Sequence, residues 1–156
     1  MNFPELLEKL KAKFGDAIVE AKPEALQPWA RVATDRTLDI CLYLRDELRF
    51  DYLMCLSGVD YNNGTLGTVY HLWSTTERHK IVLRANCPKD NPHIQSVSQV
   101  WGTADWHERE AYDMLGIVFD GHPDLRRILL PYDWEGHPLR KDYKVPEFYL
   151  GMKVPY

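Results

Sequence analysis

Two apolar runs, FDYLMCLSGVDY at 50–61 and TVYHLWS at 68–74, stand either side of Asn62-Asn63-Gly64. Asn and Gly accept the positive φ that a tight turn demands, so the two runs pair back antiparallel as a hairpin. A third run, HKIVLRANC at 79–87, follows a turn near Thr76 to Arg78. It alternates Ile81, Leu83 and Ala85 against Val82, Arg84 and Asn86, the period of a strand. Three strands close in sequence commit the chain to a sheet, and a sheet needs a second layer to cover its apolar face. The first run is apolar at both parities, which predicts a strand buried on both faces.

The upstream segment supplies that layer. Phe3, Leu6, Leu7, Leu10 and Phe14 fall on one helical face. Asn2 and Glu5 have capping-box spacing, and Gly15 can end the helix. AIVEA at 17–21 and WARVAT at 29–34 read as short strands, separated by Lys22-Pro23 and Gln27-Pro28. Thr34 or Asp35 can cap a second helix that turns Leu38, Cys41, Leu42, Arg45 and Leu48 to one side. Downstream, a short helix is expected at 94–101. A longer one, ADWHEREAYDML, is expected to be capped by Thr103 and ended by Gly116. The fold class is therefore α+β: a two-layer domain of order α-β-β-α-β-β-β with a mixed, mostly antiparallel sheet. A helix and a long irregular arm complete it.

The division expected is an α+β domain over 1–115 and an extended docking arm over 116–156. The arm holds five of the ten prolines and four of the nine glycines and shows no sustained period. It is nevertheless rich in large apolar residues, among them Phe119, Ile128, Leu129, Trp134, Tyr143 and Phe148. Disordered tails are poor in such residues, so the arm is expected to be ordered on a surface, in part its own domain and in part another chain.

The arm repeats one recipe. FDGHP at 119–123 and WEGHP at 134–138 each place a histidine between Gly and Pro, and each is followed by Leu and Arg. Gly frees the entry turn and Pro holds the histidine extended. Three readings compete. His107, His122 and His137 lie near Glu108, Glu110, Asp113, Asp120, Asp124 and Asp133, a composition that a metal could use, but no HExxH or HxH spacing occurs. Glu108 and Glu110 could serve acid–base chemistry, but two residues apart on a helix they face different sides. The third reading is charge pairing. Arg109, Arg126, Arg127, Arg140 and Lys141 face eight acids across 106–143, interleaved with Trp106, Tyr112, Trp134 and Tyr143. Arg and aromatic residues are the types enriched at binding hot spots.

Global properties narrow the field. The net charge of −4 disfavours a nucleic-acid partner. No apolar run approaches the length of a membrane span, and the first residues lack a secretory pattern, so any membrane contact is expected to be indirect. Cys41, Cys55 and Cys87 form no CxxC and read as small buried hydrophobes in a reducing compartment.

The stretch EREAYDMLGI (108–117), GHPDLRRILLP (121–131) and DWEGHPLRKDY (133–143) closely resembles the C subunit of proton-pumping NADH–quinone oxidoreductase, the thirty-kilodalton-type subunit of respiratory complex I. These pieces cover about a quarter of the chain, and the order of upstream elements extends the resemblance over nearly all of it. The resemblance implies a scaffold with no catalytic residues, no metal and no cofactor of its own, FMN and iron–sulfur clusters lying in partner subunits. It implies a hetero-oligomer with the D, B and I subunits of complex I, peripheral on the cytoplasmic side of the bacterial inner membrane. The interface residues it points to are Glu108, Arg109, Asp113, His122, Arg126, Arg127, Trp134, His137, Arg140 and Tyr143. In particular Arg126, Arg127 and Arg140 are expected to pair across to the D or B subunit, while the histidines hydrogen-bond locally. The chain resembles the stand-alone form rather than a fused C–D chain. It departs from the family where Lys144 follows RKDY and the proline is delayed to Pro146. The rival readings are a homologous subunit of an energy-converting membrane hydrogenase or related complex, and a stand-alone metal enzyme built on the three histidines.

Overall fold

The structure, a computed structural model, describes residues 1–154. Positions 155 and 156 of the expected arm lie outside the described residues. Helix α1 spans Phe3–Phe14; the Asn2 side chain accepts from the Glu5 N–H, the Glu5 carboxylate accepts from the Asn2 N–H, and Gly15 turns the chain out at φ +52°. Strands β1 (Ile18–Lys22) and β2 (Trp29–Val32) follow, then a 3-10 turn at Thr34–Arg36 and helix α2 (Thr37–Asp46). Neither expected cap accepts an α2 backbone N–H on its side chain. The buried face of α2 is Thr37, Ile40, Cys41 and Leu44, about one residue round from the face expected. Leu38 and Leu42 pack, partly buried, at the margin of the same core, while the Leu38 N–H donates to Gln95 Oε1 and Arg45 donates to the Gln99 and Val100 carbonyls.

Strands β3 (Tyr52–Asp60), β4 (Thr65–Trp73) and β5 (Lys80–Pro88) form the expected meander. The sheet order is β1-β2-β5-β4-β3, with β2 and β5 parallel and every other pair antiparallel. Its helix-covered face carries Ala30, Val32, Leu56, Leu66, Tyr70, Leu72, Ile81, Leu83 and Ala85, packed with Leu6, Leu10, Ile40 and Leu44 into one core. Burial of such side chains, at about 25 cal/mol per Å² of apolar surface, is the main term holding the two layers together.

Three expectations fail here. Strand β3 is an edge strand with Tyr52 and Met54 about half exposed. A bulge between Leu53 and Cys55 puts both Leu53 and Leu56 on the core side, which is why the run looked apolar at both parities. The stretch 94–101 is not a helix. It begins as strand β6 (His93–Gln95), parallel to β7 (Val118–Asp120), and then makes one turn in which the Val100 and Trp101 N–H groups donate to the Val97 carbonyl. Helix α3 (Ala104–Leu115) packs across β3, and Gly58 gives it room: a Cβ there would meet Leu115 and Ala111 at 2.5 and 3.3 Å. Thr103 stands at its start without a side-chain cap, and Gly116 ends it in the left-handed conformation. The arm ends in a two-residue-strand hairpin, β8 (Phe148–Tyr149) with β9 (Met152–Lys153), which carries no sequence period long enough to read. Among the described residues, no helix is long and apolar enough to cross a membrane.

Candidate functional site

Helix α3 is the hub on which the arm is built. Its last carbonyls have no intrahelical donors, a deficit every helix end must meet. The arm meets it residue by residue. The Gly116 N–H donates to Tyr112 O, and the Leu139 N–H donates to Met114 O. Arg127 Nη1 and His137 Nδ1 donate to Asp113 O at 3.2 and 2.9 Å, and Arg140 Nε donates to Leu115 O at 2.6 Å. Cationic groups at a helix C-terminus also complement its partial negative charge. Gly116 is required twice over: φ is +73°, and a Cβ would meet the His137 ring at 2.6 Å and Arg140 Nη2 at 2.7 Å.

The side chains of α3 hold the rest. Asp113, with no exposed surface, accepts three backbone N–H groups on Oδ2, from Ile128 (3.0 Å), Leu129 (2.7 Å) and Leu130 (2.9 Å). Its Oδ1 accepts from Arg127 Nη1 at 2.7 Å. Burial would raise its pKa, but the Leu130 N–H, the Arg127 guanidinium and the other two amides outweigh burial and hold it below the usual carboxylate range. Both terminal nitrogens of Arg127 are used: Nη2 donates to the Trp134 and Gly136 carbonyls at 2.8 and 2.9 Å. Arg109, stacked near Trp106, donates to the carbonyls of Arg126 and Arg127. Arg126 itself is exposed and, among the described residues, pairs only with Asp124.

The two GHP turns serve opposite ends of the same helix. His122 accepts the Asp124 N–H on Nδ1, so its Nε2 carries the proton and donates to Asp105 O at 3.2 Å in the first turn of α3. His137 holds Asp113 O in the last turn, roughly 12 Å further along at 1.5 Å per residue. Burial, with the nearby Arg140 and Arg127 charges, lowers the His137 pKa. His107, the third histidine of the metal reading, instead lines a cleft of about 410 Å³ between β3 and α3, with Cys55, Glu110 and Leu139. Cys55 Sγ pairs there with Ser57 Oγ at 3.1 Å rather than with an imidazole. The structure does not bring the three histidines together, and among the described residues no group of three or more His, Cys, Asp or Glu is placed to hold a metal ion.

Glu108 faces inward with no exposed surface, opposite to Glu110. It accepts from Ser96 Oγ at 2.6 Å and from the Val97 N–H at 2.7 Å, and His122 Nε2 lies 3.9 Å away. Burial pushes its pKa up to about 7 against those hydrogen bonds. Cys41 and Cys87 are buried as expected; Cys55 is half-buried, a consequence of the β3 bulge.

Sequence reasoning missed a second junction. Asp60, at the end of β3, accepts from the Asn62 and Lys141 N–H groups and from Lys89 Nζ, which also reaches Asp142. Burial would raise its pKa, but these donors hold it at about 2. The legible signal was an Asp just ahead of the Asn62-Asn63-Gly64 turn, an acceptor placed for a local backbone N–H. Of the residues expected at an interface, Arg127, Arg140, His137, Glu108 and Asp113 are engaged within the chain. Trp134 and Tyr143 bind each other, with Trp134 Nε1 donating to Tyr143 Oη at 3.0 Å. Tyr149 stacks on Trp134 at 5.0 Å between ring centres.

With this geometry in hand, known proteins supply a context. The family model of the respiratory-chain NADH dehydrogenase 30 Kd subunit matches residues 30–149. The C subunit of the NADH-quinone oxidoreductase of Chloroherpeton thalassium is 54% identical over 151 residues, covering 94% of this chain; the chain spans 63% of that relative's length. The C subunit of the Chlorobium phaeobacteroides enzyme is 52% identical over 152 residues, covering 94% of this chain and 92% of the relative. Among solved structures, a trypsin-resistant fragment of Nqo5 superposes with a TM-score of 0.67 at 28% identity, over 80% of this chain and 100% of the fragment. A chain of the membrane-bound sulfane sulfur reductase, an archaeal respiratory membrane complex, gives a TM-score of 0.74 at 22% identity over 90% of this chain and 85% of that one, a likeness of fold alone.

Proposed function

The chain belongs to the 30 Kd subunit family of respiratory-chain NADH dehydrogenase, and on that premise we propose that it is a non-catalytic scaffold in the peripheral arm of a proton-pumping NADH–quinone oxidoreductase. In this reading it supports electron transfer from NADH to quinone by holding the quinone-site D subunit and the iron–sulfur B and I subunits in register. FMN and the clusters reside in those and other partners, and the chain sits peripherally on the cytoplasmic side of the membrane.

The observation that carries the reading is the arm's two-sidedness. Arg127, His137 and Arg140 turn their polar groups onto α3, while Leu129, Tyr132, Leu139, Val145, Phe148 and Leu150 are 57–93% exposed. Lone surface apolar residues are ordinary, but six along one ordered arm mark a protein-binding surface. Aromatic and aliphatic anchors of this kind supply most of the free energy at an interface. The polar contacts within the arm fix its shape beforehand, which lowers the ordering penalty on association.

The test is a mild-detergent purification of the chain from its native membranes, with mass spectrometry and optical spectra. Flavin and iron–sulfur signals together with a quinone-site subunit are expected. A hydrogenase subunit in place of the NADH-oxidising one would move the chain to the related complexes. Recovery of the chain alone would defeat the scaffold reading.

A further inference from the structure

The sheet has a second face. Opposite the core, β2 and β5 place Trp29 beside Val82 and Arg31 beside Arg84 in parallel register, and β4 continues the rows with His71 and Val69. Val82, 5% exposed, lies outside the core cluster to which Ile81 and Leu83 belong and lines a hollow with Met1 and Phe3 at the start of α1. The hydrogen bonds of the arm run to α3 and Asp60 rather than to this face.

Charge on this face is unbalanced. The strands bring Lys22, Arg31, Lys80 and Arg84 to it against the single acid Glu20. Glu20 is taken by Arg31 at 2.9 Å, with Lys22 at 3.8 Å. Among the described residues Arg84 has neither an ion pair nor a hydrogen bond. Like charges directly opposite on neighbouring strands are unfavourable, yet Arg31 and Arg84 stand in that relation. Arg31 Nε, Arg84 Nε, His71 Nδ1 and Asn86 Oδ1 are all buried without a partner. Buried polar groups in folded proteins are nearly always satisfied, and here four unsatisfied ones share one face.

Arg84 is also prepared. Its guanidinium lies 4.2 Å over the Trp29 ring, a stack that fixes the plane of its donor fork. A fork held flat fits a carboxylate bidentately. Val69 beside it offers an apolar bed. We propose that this face is a second docking surface, which takes a carboxylate-bearing, otherwise apolar segment of a partner protein on Arg84. A nucleic acid fits less well: the chain's net charge is −4, and the Trp29 ring that could stack a base is already covered by Arg84.

The inference does not rest on the arm's role, and its test separates the two. In the native assembly, Val69→p-benzoylphenylalanine probes the sheet face and Tyr132→p-benzoylphenylalanine probes the arm. The expected Val69 product is one partner polypeptide, joined within a few residues of an Asp or Glu. Arg84→Glu and Arg84→Gln should each reduce that product by at least about tenfold, with the Tyr132 product unchanged. A Val69 product with a second copy of this chain or with nucleic acid would overturn the proposal. So would one unaffected by either Arg84 variant, or none at all where Tyr132 still yields its own. Loss of the Tyr132 product alone would count against the arm and leave the sheet face standing.

Discussion

Replacing Asp113 by Ala should release the arm. The substitution leaves the N–H groups of Ile128, Leu129 and Leu130 without their acceptor, and it strands Arg127, whose side chain is only 14% exposed. The Arg127 hydrogen bond alone, being charge-assisted, contributes about 1.5–3 kcal/mol, and the four are not additive because they share one carboxylate. Breaking a buried pair from one side costs about 3–5 kcal/mol, which bounds the total from experience. That is a large part of the roughly 5–15 kcal/mol that holds a domain folded. The core on the sheet does not contain Asp113, so the first consequence is local opening of 121–144 rather than global unfolding.

Trypsin reads that opening, since Arg126, Arg127, Arg140 and Lys141 lie in the segment. When opening is fast, cleavage follows the open population, and about 3 kcal/mol raises it by about a hundredfold or more. The stability difference between wild type and Asp113→Ala, followed across pH by denaturant unfolding because trypsin does not work in acid, should be constant above the ordinary carboxylate range. It should vanish as pH falls through the lowered pKa of folded Asp113, because protonation then removes the same interaction from the wild type. A variant cut at the wild-type rate, within about twofold, would refute the view that this carboxylate organises the arm.

Three further outcomes follow from the same geometry. Glu108 titrates higher folded than unfolded, so stability should fall as pH rises from about 4.3 toward 7 and then level off; Glu108→Gln should flatten that slope in pH-dependent denaturant unfolding. Asp60→Ala should cost about 1–3 kcal/mol by unpairing the Asn62 and Lys141 amides, and Asp60's contribution to the wild type should be complete above the ordinary carboxylate range and fall away progressively as pH drops toward 2, as acid-titrated melting would show. Gly116→Ala should destabilise more than Gly121→Ala in thermal melts: both have positive φ, worth about 1–2 kcal/mol to a side chain, but only at Gly116 would the Cβ strike His137 and Arg140.

What was legible in the sequence was local. The capping box of α1, the Asn-Gly turn between β3 and β4, the alternation in β5 and the Gly116 stop all depend on residues within a few positions of each other. What was not legible depends on distant partners. Strand β6 pairs with a segment 25 residues later, and its sequence, Ile94 with Val97, Val100 and Trp101, imitates helical spacing because it does close one turn. The β3 bulge hid an edge strand behind an apolar run. The arm's residues were recognised by type, but the direction of Arg127 and Arg140 is decided by the carbonyls of α3, which no pattern in the arm displays.

That inward direction changes what the repeated GHP motif encodes. An arginine whose two terminal nitrogens already serve Asp113, Trp134 and Gly136 has little left for a partner. The first turn locks the chain beside the start of α3 and the second locks it beside the end. The segment between them, 123–136, is thereby held at both ends and carried outward as a loop with Leu129 and Tyr132 exposed. A loop anchored this way keeps its shape when unbound, so association need not order it. The motif therefore specifies the frame, and recognition is left to the exposed apolar side chains of the arm. Arg126, exposed and paired with Asp124, has donors to offer outward, and so do the Nη groups of Arg140, which carry no hydrogen bond among the described residues. Arg126→Ala should accordingly weaken assembly without altering tryptic sensitivity at the other sites. Arg127→Ala should do both.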